Sequence, residues 1–147
     1  MATFVLDSNV FNQWAQNLLK REQFPHDAEF VVTHVQIDEL NNTPDRDRRA
    51  LLLLSLAQWR PTLIPVESMV WDATRWGHAK WSDGELYIAI RAALDERAER
   101  ANNVHDALIA EVALKNGFTL VTGDGVLART IEAMGGKVMH FRVNKAA

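Results

Sequence analysis

The chain has 147 residues, no cysteine, 48% apolar residues and a formal net charge of -3. That length suits a single domain with a real core, and the apolar content separates it from disordered and fibrous chains. Without cysteine, disulfide frameworks and thiolate metal sites are excluded and a reducing cytoplasm is the expected setting; the acidic balance is not that of a dedicated nucleic-acid binder. Asp7 stands where a secretory leader would carry basic and then long apolar sequence, so no leader is expected. The longest aliphatic run, Leu51-Leu52-Leu53-Leu54, is far too short to span a bilayer and reads as core or a dimer face.

In chain order, Thr3-Phe4-Val5-Leu6 is an apolar strand that runs straight into Asp7. Val10, Phe11, Trp14, Leu18 and Leu19 then recur at helical spacing, predicting a helix over 9–20 with Ser8 or Asn9 as its cap. A second strand is expected over 29–33 and a short helix from Val35 to Leu40, stopped by Asn41-Asn42-Thr43-Pro44. Asp45 and Asp47 open a helix that closes at Trp59, before Pro61, and Thr62-Leu63-Ile64 is a brief strand or an extended link. Two helices follow, over 67–80 and 83–100, the second with Leu86, Ile90, Ala93 and Leu94 as its apolar stripe. Asn102-Asn103 caps a helix over 104–116 that ends at Gly117, in the left-handed position typical of helix C-termini. The strand 118–121 leads through Thr122-Gly123-Asp124-Gly125 to a helix over 126–134, the Gly135-Gly136 break and a last strand over 137–141. Alternating strands and helices predict a three-layer α/β/α sandwich around a short, mainly parallel sheet of four or five strands.

In such a sheet Asp7 and Asp124 emerge at the same carboxyl edge, the edge at which open α/β folds bind ligands. Glu39 follows the second strand and Asp106 opens a helix, which makes four acids that can converge. Like charges at roughly 4 Å repel by about 4 kcal/mol at an effective dielectric near 20, so convergence calls for a cation. Oxygen-only donors favour Mg²⁺ or Mn²⁺ over zinc. One such ion activates a water for attack on phosphorus and a second stabilises the leaving oxygen, so phosphodiester hydrolysis is the expected chemistry.

Leu6-Asp7-Ser8-Asn9, Ile37-Asp38-Glu39-Leu40, His105-Asp106-Ala107-Leu108-Ile109-Ala110 and Leu120-Val121-Thr122-Gly123-Asp124 resemble, in order and over nearly the whole chain, the acidic motifs of PIN-domain ribonucleases, including VapC-type toxins. The resemblance implies a PIN-like fold in which Asp7, Glu39, Asp106 and Asp124 are the catalytic and metal-binding set. Thr122 and Ser8 or Asn9 would support them. It further implies an endoribonuclease that acts on RNA with Mg²⁺ or Mn²⁺, one or two ions, often homodimeric and often neutralised by a small antitoxin. The helix over 83–100, ahead of the Asp106 motif, departs from the compact toxin pattern.

Each acid also has a purely structural explanation, as a turn or cap residue for Asp7 and Asp124 and as a complement to the helix dipole for Asp106. Glu39 is preferred to its neighbour Asp38 because the family acid directly precedes an apolar residue, here Leu40. Arg46, Arg48 and Arg49 are candidate RNA contacts, although a solvated helix face explains them as well. Trp14, Trp59, Trp71, Trp76 and Trp81 suit packing better than base stacking, and His34, His78, His105 and His140 lack ligand spacing. Three other functions compete. An Asp-based, Mg²⁺-dependent phosphotransfer protein of the haloacid dehalogenase type needs a second Asp where Asn9 stands, and a receiver-type signalling module needs a different acidic pair. The third is a catalytically silent PIN-like module that binds RNA or protein.

Overall fold

The computed structural model describes residues 2–16, 18–68 and 84–141. Its sheet contains β1 (Thr3–Leu6), β2 (Glu29–Val32), β3 (Thr62–Leu63), β4 (Thr119–Thr122) and β5 (Lys137–His140), all parallel, in the order β3-β2-β1-β4-β5. Helices α1 (Asn9–Ala15), α2 (His34–Asn41), α3 (Arg46–Trp59), α4 (Glu85–Arg97), α5 (Asn103–Asn116) and α6 (Gly125–Ala133) connect and cover it.

The two-residue period of the strands divides the core. Val5, Val31 and Leu120 pack with Ile90 and Leu94 of α4, Leu108 and Ile109 of α5 and Leu127 and Ile131 of α6. Phe4, Leu6, Phe30, Val32 and Val121 belong to the other cluster, with Val10 and Phe11 of α1 and Leu52 and Trp59 of α3. Burying each such side chain contributes roughly 2 kcal/mol, and burial on both faces is why β1, β2 and β4 read as apolar runs. Within the second cluster Trp59 meets Phe30 and Phe24 edge-on, with ring centres 4.7 and 5.4 Å apart, and Trp14 lies 4.8 Å from Trp59. These two tryptophans therefore pack, as expected; Trp71, Trp76 and Trp81 lie outside the described residues. So do the helix expected over 67–80, from residue 69 onward, and His78.

α1 stops at Ala15 rather than residue 20. The Leu18 amide bonds to the Gln13 carbonyl at 2.9 Å, closing the helix early, and the chain then turns so that Leu19 is buried while Leu18 is not. Thr33 leaves β2 to become the N-cap of α2. The Leu51–Leu54 run is split by the helical period, since Leu52 is buried while Leu51 and Leu54 are exposed beside a groove shared with Trp14. Among the described residues no helix is long and apolar enough to cross a membrane.

From β1 the chain builds β2 and β3 on one side, then crosses to β4 and β5 on the other. The direction of winding reverses between β1 and β4, which opens a crevice at their carboxyl ends.

Candidate active site

Asp7 continues β1 into that crevice, its amide bonded to the Val121 carbonyl of β4 at 3.0 Å. Its side chain is buried and both oxygens are held: Oδ1 accepts from the Ser8 amide at 2.8 Å and Oδ2 from the Thr122 hydroxyl at 2.7 Å. The same hydroxyl accepts the Asp124 amide at 3.0 Å, so Thr122 joins the two strand-end acids. Asn9 Oδ1 accepts the Gly123 amide at 3.2 Å, tying the start of α1 to the turn after β4. Ser8 holds the N-cap position of α1 yet makes no capping bond; its hydroxyl donates instead to Glu39 Oε2.

Glu39 owes its position to the start of α2. The Thr33 amide donates to Gln36 Oε1 at 2.9 Å, and buried Gln36 Nε2 donates to the Leu6 carbonyl at 3.1 Å, one residue before Asp7. The other Glu39 oxygen, Oε1, lies 3.3 Å from His105 Nδ1. Asp106, in the first turn of α5, accepts at Oδ2 from Asn102 Nδ2 at 3.2 Å. Asp124 caps α6 through Oδ1, which accepts the Val126 and Leu127 amides at 2.9 and 3.3 Å. Its Oδ2 faces Arg100 Nη2 at 2.9 Å, and the same nitrogen is 3.8 Å from Asp106 Oδ2.

The acids act on one another. Burial raises the Asp7 carboxyl to about 6; the Thr122 and Ser8 hydrogen bonds oppose this, and the charges of Glu39 and Asp124 add to it. Burial, then the charges of Asp7, Asp124 and Glu39, push Asp106 up to about 8 against the pull of Arg100. His105 is raised by its hydrogen bond to Glu39, which outweighs partial burial. Such a set of oxygen donors suits a hard divalent cation. Among the described residues no three acidic or histidine side chains already close around one point, and the positive charge within the cluster is the guanidinium of Arg100.

This arrangement can be set beside known proteins. No family model matches the sequence, and no curated protein matches it. Solved structures do. A member of the VapBC family of toxin-antitoxin systems, VapBC-5 from Mycobacterium tuberculosis, is 24% identical with a TM-score of 0.55, over 97% of this chain and 100% of that one. VapBC2 from Rickettsia felis, solved bound to a DNA fragment from its promoter, gives a TM-score of 0.59 at 14% identity, over 95% and 98% of the two chains. FitAcB from Neisseria gonorrhoeae gives 0.55 at 13% identity, over 93% and 96%. The fold is that of a VapC-like PIN domain.

Asp7, Glu39, Asp106 and Asp124 reach the carboxyl edge of the sheet from β1, α2, α5 and the turn after β4. Ser8, Asn9 and Thr122 all bond within that edge. Arg48 instead donates to Asn12 Oδ1 of α1 and Arg49 to the Thr43 carbonyl at 3.2 Å, while Arg46 is exposed at the start of α3. Among the described residues the arginine that meets the carboxylates is Arg100, which the sequence alone does not single out, nor does it single out Gln36 or the contact of His105 with Glu39. Gln36 was legible as the last residue of a capping box, Thr33-His34-Val35-Gln36, in which a Ser or Thr cap is followed three residues later by Glu or Gln.

Proposed function

We propose that this protein is a divalent-metal-dependent endoribonuclease and the toxin of a toxin-antitoxin pair. The observation that carries this reading is the gathering of Asp7, Glu39, Asp106 and Asp124 at one edge of the sheet, from four separate parts of the chain, with Asp7 and Asp106 raised first by burial and then by the other acids' charges. Those four would hold one or two Mg²⁺ or Mn²⁺ ions, which when bound supply the Lewis acidity that phosphodiester hydrolysis requires. The surrounding residues position them. Thr122 and the Ser8 amide fix both oxygens of Asp7, and the Ser8 hydroxyl and His105 fix those of Glu39. Asp124 is oriented by the α6 amides that it caps. Relatives in fold named as toxin-antitoxin systems support a small antitoxin as partner, and a cytoplasmic homodimer is part of the same proposal.

The test is an RNA-cleavage assay with Mg²⁺ or Mn²⁺, with and without chelator, on wild type, Asp7→Asn and Asp124→Asn. Cleavage should fall at least about 100-fold in both variants and vanish with chelator. Equal cleavage by all three proteins, or cleavage that survives chelation, would sink the proposal. Expression should arrest growth with wild type and not with Asp7→Asn if the chain is a toxin.

A further inference from the structure

We propose that Arg100 is a built-in counter-cation, which a divalent metal must displace from Asp106 and Asp124 before the site can work. This inference rests on the metal-dependent reading above. Asp124 has committed Oδ1 to the Val126 and Leu127 amides, so Oδ2 is the oxygen left to face a cation, and Arg100 Nη2 stands there at 2.9 Å. The same nitrogen reaches toward Asp106 at 3.8 Å, so one guanidinium serves acids from two helices. A metal held by Asp124 would compete with Arg100 for Oδ2, and one held by Asp106 as well would stand where the guanidinium lies between the two acids.

The contact is made to be broken. Nε and Nη2 of Arg100 are buried, and among the described residues neither has a well-aligned hydrogen-bond partner, so the 2.9 Å approach of Nη2 to Asp124 is a contact of charge rather than one arm of a hydrogen-bonded fork. The backbone beside it is pinned: Asn103 Nδ2 donates to Asp95 Oδ1 and to the Ala98 carbonyl, both at 2.8 Å, fixing the connection between α4 and α5. Exchange therefore takes a change of side-chain rotamer, not a loop opening. Arg100 is about one-third exposed and has water to swing into. A divalent ion brings twice its charge to the carboxylates and can win the exchange. Without metal, Arg100 limits the repulsion between Asp106 and Asp124. Because metal binds only the fraction of molecules from which Arg100 has moved, the arrangement lowers apparent metal affinity and sets a threshold for activity.

Calorimetric titration of Mn²⁺ into the full chain tests this with wild type, Arg100→Gln and, as a control for net charge, Arg97→Gln on the exposed end of α4. Arg100→Gln should bind Mn²⁺ about tenfold more tightly than wild type, and Arg97→Gln within about twofold. Equal or weaker binding by Arg100→Gln, while wild type binds, overturns the proposal and leaves the metal reading intact. Absence of Mn²⁺ binding in every protein overturns the metal reading, and this inference with it. A second measurement needs no variant: the Arg100 Nε–H resonance of wild type should shift on saturation with Mg²⁺. An unchanged resonance in the Mg²⁺-bound protein overturns displacement.

Discussion

Ser8 shows how a residue's local role can yield to a distant one. At a helix start its hydroxyl would ordinarily take up a free amide, a bond worth about 1 kcal/mol. Here that bond is absent, and the hydroxyl reaches 31 residues along the chain to Glu39. Ser8→Ala should therefore leave thermal stability within about 0.5 kcal/mol of wild type. Cleavage should nevertheless fall about tenfold through loss of Glu39 positioning; a marked drop in melting temperature with unaltered cleavage would assign Ser8 to the helix instead. Thr122 acts on protonation. Its hydroxyl opposes the rise of the Asp7 carboxyl, which stands at about 6. Thr122→Val removes that hydrogen bond, so Asp7 must ionise at higher pH, and the acidic limb of the cleavage profile should move upward. Thr122→Ser, which keeps the hydroxyl, should restore it.

At the scale of elements, much was legible because local chemistry and tertiary packing agree. The ends of β1 and β4 are marked by Leu6-Asp7 and Thr122-Gly123-Asp124, where apolar pairing stops and polar capping begins. Gly117 and Gly135, at φ 67° and 84°, take the left-handed conformation that ends α5 and follows α6. α1 was over-extended because Leu18 and Leu19 continue a helical pattern, and only the core decides that Leu19 is buried by a turn of the chain. Arg100 was illegible for a similar reason: it lies in the charged stretch Asp95-Glu96-Arg97-Ala98-Glu99-Arg100, and its partner Asp124 belongs to another element. Gly136 also hides its reason. A Cβ there would lie 2.5 Å from Ile131 Cγ2 and 2.7 Å from Leu114 Cδ2, so any side chain at this position forces those neighbours to shift where β5 starts against α5 and α6. Gly136→Ala should cost roughly 1–3 kcal/mol, read as a lower urea midpoint with an unchanged slope. An unchanged midpoint would show that Ile131 and Leu114 yield freely.

For the whole molecule, the same acids that equip the edge of the sheet work against its stability. Asp7 and Asp106 ionise near their ordinary 3.8 when unfolded and near 6 and 8 when folded, so between those values the folded chain binds more protons. Stability then decreases with rising pH, and most of this loss should fall between about pH 4 and pH 8. The sign is opposite to that of a carboxylate held by a salt bridge, whose contribution is lost in acid. Without metal, the melting temperature should therefore decline toward pH 8, and Mg²⁺ should recover it increasingly as the acids ionise. Asp106→Asn isolates the effect, because the amide keeps the shape and removes the buried charge. At pH 5 Asp106 is protonated in the folded state, so variant and wild type should melt close together. At pH 9 the wild type carries the extra charge among Asp7, Glu39 and Asp124, and the variant should melt higher while losing the response to Mg²⁺. That is the trade of stability against function expected where like charges are gathered for a purpose. A variant less stable than wild type at pH 9 in chelator would mean that the attraction between Asp106 and Arg100 outweighs the repulsion among the acids.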